Sequence, residues 1–246
     1  MPSLQPITPS APPLPGRVVL TQAWRNLTFV HWRVDPAEIA PLLPPGIVPD
    51  VYDGSSWVGL IPFGMHDSAV FGGPAVPYFG TFAEVNVRLY GVDHEGRRGV
   101  VFRSLEASRL AAVLAARVMF GLPYMWAKAT MVTEPDGVLA YRSHRRTRSA
   151  PSSFVRVRTT DTAVLDDPLA DFLTARWLLF QTHLGRTVAM PNEHRPWPLF
   201  EASIDDIRDE LLPAAGITSV GTRPPDSVLF SPGVITRFGR PWRIGG

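Results

Sequence analysis

The chain has no cysteine. That excludes disulfides and thiolate metal sites, and it makes the cytoplasm the default expectation. Lysine is nearly absent too: of 24 Lys plus Arg, only Lys128 is an amine. No apolar run reaches the ~18 residues a spanning helix needs, so no membrane segment is expected. The proline-dense start lacks a charged opening and an apolar stretch, so it does not read as a secretory signal. The six histidines are scattered without HxH or HExxH spacing, so no metal site is expected. GxSxG is missing, so no serine nucleophile elbow is expected, and no glycine-rich phosphate loop is present. A net charge of +2 is too small to argue for nucleic acid.

What is present is a chain of 246 residues, 45% hydrophobic, with 26 Pro and 20 Gly. This suits one sizeable core, many turns and few long helices. Residues 1–16 read as a disordered or extended arm, and residues 17–246 as a single domain. Short apolar segments bounded by turns predict strands over 17–32, 56–66, 82–91, 99–103, 124–133, 138–144, 153–159, 186–190 and 228–238, the last broken at Pro232. Asp93-His94-Glu95-Gly96 and Glu134-Pro135-Asp136-Gly137 carry hairpin-loop chemistry. Asp35-Pro36 opens a short helix that stops before Pro44. Ser104 is placed to cap a helix over 105–120 that Gly121 closes, and further helices are expected over 167–182 and 205–212. Strands scattered among a few helices predict an α+β chain built on a mainly antiparallel sheet or barrel.

Side chains on a strand alternate sides. Phe82, Glu84, Asn86, Arg88 and Tyr90 therefore share one face. That row fits a solvent face with an ion pair, and equally a polar wall inside a barrel; the flanking aromatics favour the second. Tyr124, Trp126, Lys128 and Thr130 share another face. An enclosed Lys128 would lose its proton readily and become a nucleophile, whereas a solvated one would only snorkel past the aromatics. Arg142, His144, Arg146 and Arg148 form a third row, which suits an anion grip or a charged edge that resists aggregation. His194 lies in a loop stiffened by Pro196, Trp197 and Pro198.

Several stretches converge on one pattern. They include Gln22-Ala23-Trp24-Arg25-Asn26, Leu42-Leu43-Pro44-Pro45-Gly46, Trp57-Val58-Gly59-Leu60-Ile61-Pro62-Phe63 and Ser231-Pro232-Gly233-Val234. The most distinctive is Thr81-Phe82-Ala83-Glu84-Val85-Asn86-Val87-Arg88-Leu89-Tyr90. Together they resemble the YqjF-like family, domain of unknown function 2071, which is distantly similar to acetoacetate decarboxylase. The resemblance implies a conical, mostly antiparallel β-barrel with an internal cavity and flanking helices. It implies a small organic acid or carbonyl ligand, lyase or decarboxylase-like chemistry without a cofactor, and a homo-oligomer.

In the decarboxylase a lysine after a Gly-aromatic-Pro step forms a Schiff base with the keto acid. Here Gly121-Leu122-Pro123 leads to Tyr124 instead, and Lys128 stands four residues later, about 13 Å along a strand. The resemblance implies that Glu84 and Arg88 correspond to the carboxylate and guanidinium of the decarboxylase cavity. Read as an enzyme, the chain adds Tyr124 as a catalytic hydrogen-bond donor and Lys128 as amine or electrostatic aid, with Phe82, Asn86, Trp126 and His194 in the ligand pocket. The alternative it leaves open is an organic-acid binding protein that has lost the Schiff-base lysine.

Overall fold

The computed structural model describes residues 3–75 and 80–245. Met1, Pro2 and Gly246, at the ends of the expected arm and domain, lie outside the described residues. Thirteen strands carry the fold: β1 (Val18–Val34), β2 (Val48–Pro49), β3 (Ser56–Val70), β4 (Phe82–Val92), β5 (Arg98–Ala107), β6 (Tyr124–Thr133), β7 (Leu139–Arg145), β8 (Ser152–Ala163), β9 (Leu178–His183), β10 (Arg186–Glu193), β11 (Phe200–Asp209), β12 (Ser227–Gly239) and β13 (Trp242–Arg243). Among the described residues four short α-helices accompany these strands: α1 (Pro36–Ile39), α2 (Leu110–Phe120), α3 (Pro168–Thr174) and α4 (Leu211–Ala214). All strand pairs are antiparallel except β5 with β6 and β5 with β9.

Two closures shape the sheet. Pairing of β4 with β5 closes a ring through β6, β7, β8, β11, β12, β1 and β3. Pairing of β10 with β12 closes a second, smaller ring through β9. The strands β12, β1, β3, β4 and β5 belong to both, so they form a shared wall. This explains why β4 is buried along nearly its whole length, on both faces. Val85, Val87 and Leu89 face an apolar core completed by β7, β8 and α4. Glu84, Asn86 and Arg88 face the other way, into a cavity.

Local chemistry sets the turns as expected at two hairpins. Gly96 and Gly137 take φ of 77° and 81° and donate their N–H to Asp93 and Glu134. Asp35 caps α1 through the Ala37 N–H. Several expectations are corrected. β12 runs unbroken through Pro232, which sits exposed. Residues 105–107 belong to β5, and α2 starts only at Leu110, with Arg109 rather than Ser104 preceding it. The segment 167–182 divides into α3 and β9, because Leu178–His183 fills the space between β5 and β10. Residues 205–209 continue β11: Asp205 pairs across to Arg158 of β8 at 2.8 Å, Asp206 pairs with Arg208 on its own strand, and Asp209 turns inward and accepts from the Leu212 N–H.

The N-terminal residues from Ser3 to Pro15 form neither helix nor strand. They are nonetheless tied down: Gln5 donates to the Gly96 carbonyl, Trp177 donates to the Thr8 carbonyl and Leu14 donates to Glu193.

Candidate functional site

The cavity lies inside the smaller ring. Its polar side is the β4 row, and its apolar side includes Phe63, Phe102, Leu105 and Trp197. The free volume is about 80 Å³, several times the ~10–15 Å³ one water requires. A guest of a few heavy atoms fits; a bulky one does not.

Glu84 is buried, and its carboxyl accepts a hydrogen bond from the Tyr124 hydroxyl at 2.9 Å. Burial pushes its pKa up to about 8, while Tyr124 and the Asn86 amide pull it partly back. Glu84 is therefore mostly a neutral acid at pH 7. Burial and the neighbouring Glu84 push the Tyr124 phenol well above its ordinary value, so it stays a hydrogen-bond donor. The Asn86 Oδ1 is buried with no partner among the described residues.

Arg88 donates through Nε to the Tyr90 hydroxyl at 2.9 Å and through Nη2 to the Leu173 carbonyl at 2.8 Å. Among the described residues it has no carboxylate partner. It lines the cavity at only 9% exposure. Tyr90 donates to the same Leu173 carbonyl, so its oxygen accepts from Arg88 and from His31 Nε2 at 2.6 Å. His31 is thus the Nε2–H tautomer, and its buried Nδ1 is left without a partner. Burial lowers the His31 pKa well below the usual range, and the charges of Arg88 and Arg176 lower it further.

His194 also lines the cavity. Its Nδ1 faces the Arg195 carbonyl at 2.7 Å, so that nitrogen carries the proton and Nε2 keeps a lone pair. The ring sits between Trp177 and Trp197, each with its centroid 4.6 Å away. Burial drives its pKa down to about 4, so it is neutral at pH 7.

The structure brings together Glu84, Asn86, Arg88, Tyr124 and His194. Phe82 is buried at the end of the β4 row, beside a neighbouring groove rather than in the cavity. Lys128 and Trp126 are corrected: both are exposed, on a face where only Tyr124 is buried. The reason is what covers that face. Tyr124 lies against the cavity and the groove beside α2, whereas the face is open from Trp126 onward, even though Trp126 still pairs with Ala107 of β5. Trp126 instead carries the Arg146 guanidinium over its ring at 4.8 Å. β7 is not an edge either, since β6 and β8 flank it.

Sequence reasoning missed Arg176 and the supporting role of His31. Arg176 follows α3 in the segment taken as one long helix, and its ion-pair partner Asp50, 2.6 Å away, is 126 positions distant. Among the described residues, no group of three or more His, Asp or Glu is arranged to hold a metal, and no helix is long and apolar enough to cross a membrane.

The DUF2071 family, described as "Uncharacterized conserved protein (COG2071)", matches residues 21–235. The uncharacterized protein YqjF of Bacillus subtilis (strain 168) is 31% identical over 206 residues, which cover 82% of this chain and 84% of that protein. The acetoacetate decarboxylase of Legionella pneumophila superposes with a TM-score of 0.66 at 14% identity, over 100% of this chain and 92% of its own. The enduracididine biosynthesis enzyme MppR, complexed with pyruvate, superposes with a TM-score of 0.57 at 16% identity, over 94% and 91%. The fold is that of acetoacetate decarboxylase-like proteins.

Proposed function

Starting from the fact that this chain belongs to the DUF2071 family, we propose that its cavity binds a small oxo acid and activates the carbonyl by proton donation. One observation carries the reading. Arg88 is a buried cation with no carboxylate partner among the described residues, in a cavity whose one acid, Glu84, is mostly neutral. A buried charge without a counter-charge is costly, and a guest carboxylate compensates it. Pyruvate, which MppR holds, is of this class.

Glu84 and Arg88 start about 13 Å apart along β4, and no ion pair joins them. The guest's carboxylate faces Arg88 and its carbonyl faces Glu84 and Tyr124. In enolisation, the C–H bond beside the carbonyl breaks and its proton goes to His194 Nε2. The electron pair forms the C=C bond, and the carbonyl oxygen takes the proton of Glu84. Reversal restores both groups. An amine electron sink has no place in this scheme, because Lys128 is exposed on β6. A guanidinium clamp on the carboxylate stabilises the ground state, so it favours chemistry at the carbonyl over loss of carbon dioxide.

A second reading is binding without turnover, and the lysine's absence from the cavity favours it. Calorimetry with pyruvate should show binding that Arg88→Met weakens at least 100-fold. Proton NMR in D₂O should show enzyme-dependent exchange of the pyruvate methyl protons, lost in Glu84→Gln. Binding without exchange leaves the second reading standing. If pyruvate and other small oxo acids all fail to bind, both readings fall.

A further inference from the structure

The cavity does not end at Tyr124. A groove of about 320 Å³ adjoins it, and the two share Leu20, Gln22, Phe120, Leu122 and Tyr124 as lining. Among the described residues, the groove's own lining is almost wholly apolar: Val70 and Phe82 on the strands, and the underside of α2. The groove side of α2 carries Ala111, Ala112, Ala115 and Ala116 with Met119, and Ala112 and Ala116 lie one turn apart. These small side chains leave the groove room beside Val113, which packs the helix onto the sheet. The C-terminal end of the helix is fixed: Gly121 caps it with φ 68°, Arg117 donates to the Tyr124 carbonyl at 2.6 Å, and Gln181 donates to the Phe120 carbonyl.

The β4 row runs in a telling order. Arg88, Asn86, Glu84 and Phe82 point the same way, at steps of about 7 Å. The first three line the polar cavity and the last lines the groove. The row therefore passes from a cation, through an amide that hydrogen-bonds Glu84, and a neutral acid, to an apolar wall. The cation, the acid and the apolar wall match a molecule with a carboxylate at one end, a carbonyl next to it and a hydrocarbon chain beyond.

We propose that the ligand is an oxo acid with an apolar tail of several carbons, and that the tail leaves the cavity past Tyr124 and Gln22 to lie beneath α2. This rests on the reading of Arg88 as the carboxylate clamp and names the substrate class of that site. The polar cavity alone accommodates only the head of such a molecule; the larger groove takes the rest. Burying each added methylene tightens binding roughly threefold to fourfold.

Isothermal titration of the full chain with straight-chain 2-oxo acids, from pyruvate to 2-oxodecanoate, tests this. Affinity should rise by that factor per methylene and then level off once the groove is full. Ala116→Phe, which fills the groove, should flatten the series, so that the ratio of long-chain to pyruvate affinity falls at least tenfold. Ala112→Phe is the second variant should the first fail to fold. The wild-type series decides the matter without either. If pyruvate binds but affinity does not change with chain length, the tail proposal is overturned while the Arg88 reading stands. If neither pyruvate nor any longer acid binds, the Arg88 reading is overturned and the tail proposal with it.

Discussion

The shared wall of β4 and β5 presents two buried surfaces that treat charge in opposite ways. On one, Glu106 of β5 meets Arg145 of β7 in two hydrogen bonds of 3.1 and 2.5 Å, so both charges are paired, with the buried hydroxyls of Ser104, Ser143 and Ser153 and the carboxyl of Asp209 nearby. On the other, Arg88 bonds, among the described residues, to a phenol and a carbonyl with no carboxylate, and the nearby Glu84 is mostly uncharged. The first arrangement is complete without a guest. The second leaves a cation without a counter-charge among the described residues, beside an open volume. Burial alone does not mark a functional group; burial without a counter-charge beside an open volume does.

The largest effect that separates the two surfaces comes from cutting the closed pair. Arg145→Met strands the Glu106 carboxylate and should destabilise the fold by about 3–5 kcal/mol. Arg88→Met should cost less than half of that, because it strands no charge. Urea unfolding of both variants checks the contrast, and equal losses would erase it.

Next comes the pH response of Glu84. Its folded pKa of about 8 lies above the ordinary 4.5. Between these values the unfolded chain has released a proton that the folded chain keeps, so wild-type stability falls as pH rises through this window. Glu84→Gln cannot titrate, and its stability relative to wild type should rise from about pH 4.5 to about pH 8, by on the order of 5 kcal/mol. Asp209, raised to about 6 by burial, titrates in the same window and cancels in the comparison of the two proteins. A difference that stays constant with pH would mean Glu84 is ionised in the folded protein at neutral pH.

A smaller effect sharpens the same point. Tyr124→Phe removes one hydrogen bond, worth about 1 kcal/mol, that favours the charged form of Glu84. The upper end of the pH window should move above about 8 in this variant, as read from stability measured across pH. The smallest effect is expected at Lys128. Lys128→Ala should change stability by no more than about 0.5 kcal/mol and leave pyruvate affinity within twofold. Borohydride treatment with pyruvate should leave no adduct on wild-type Lys128.

The β4 row was legible in the sequence because strict alternation from Phe82 to Tyr90 survives in a strand with two buried faces. Whether Lys128 is enclosed was not legible, because it depends on which other elements cover its face of β6. Tyr124 lies inside, against the cavity and the groove beside α2, and Trp126 and Lys128 on the same face lie beyond that cover. The error at 167–182 has a similar origin. Leu178-Leu179-Phe180 fits a helix or a buried strand equally well, and the vacant place between β5 and β10 decides. Arg176 and Asp50 could not be matched from spacing alone, since their contact exists only once the rings close.

A partition with both surfaces in use has no spare side to redesign. Along β4 each alternate position belongs to a different chamber, so widening the guest's room there risks loosening the packed layer behind it. α2 borders the groove on one side and is open to solvent on the other, at Leu114 and Val118. Attempts to retune which molecules this protein accepts should begin with that helix and leave the partition intact.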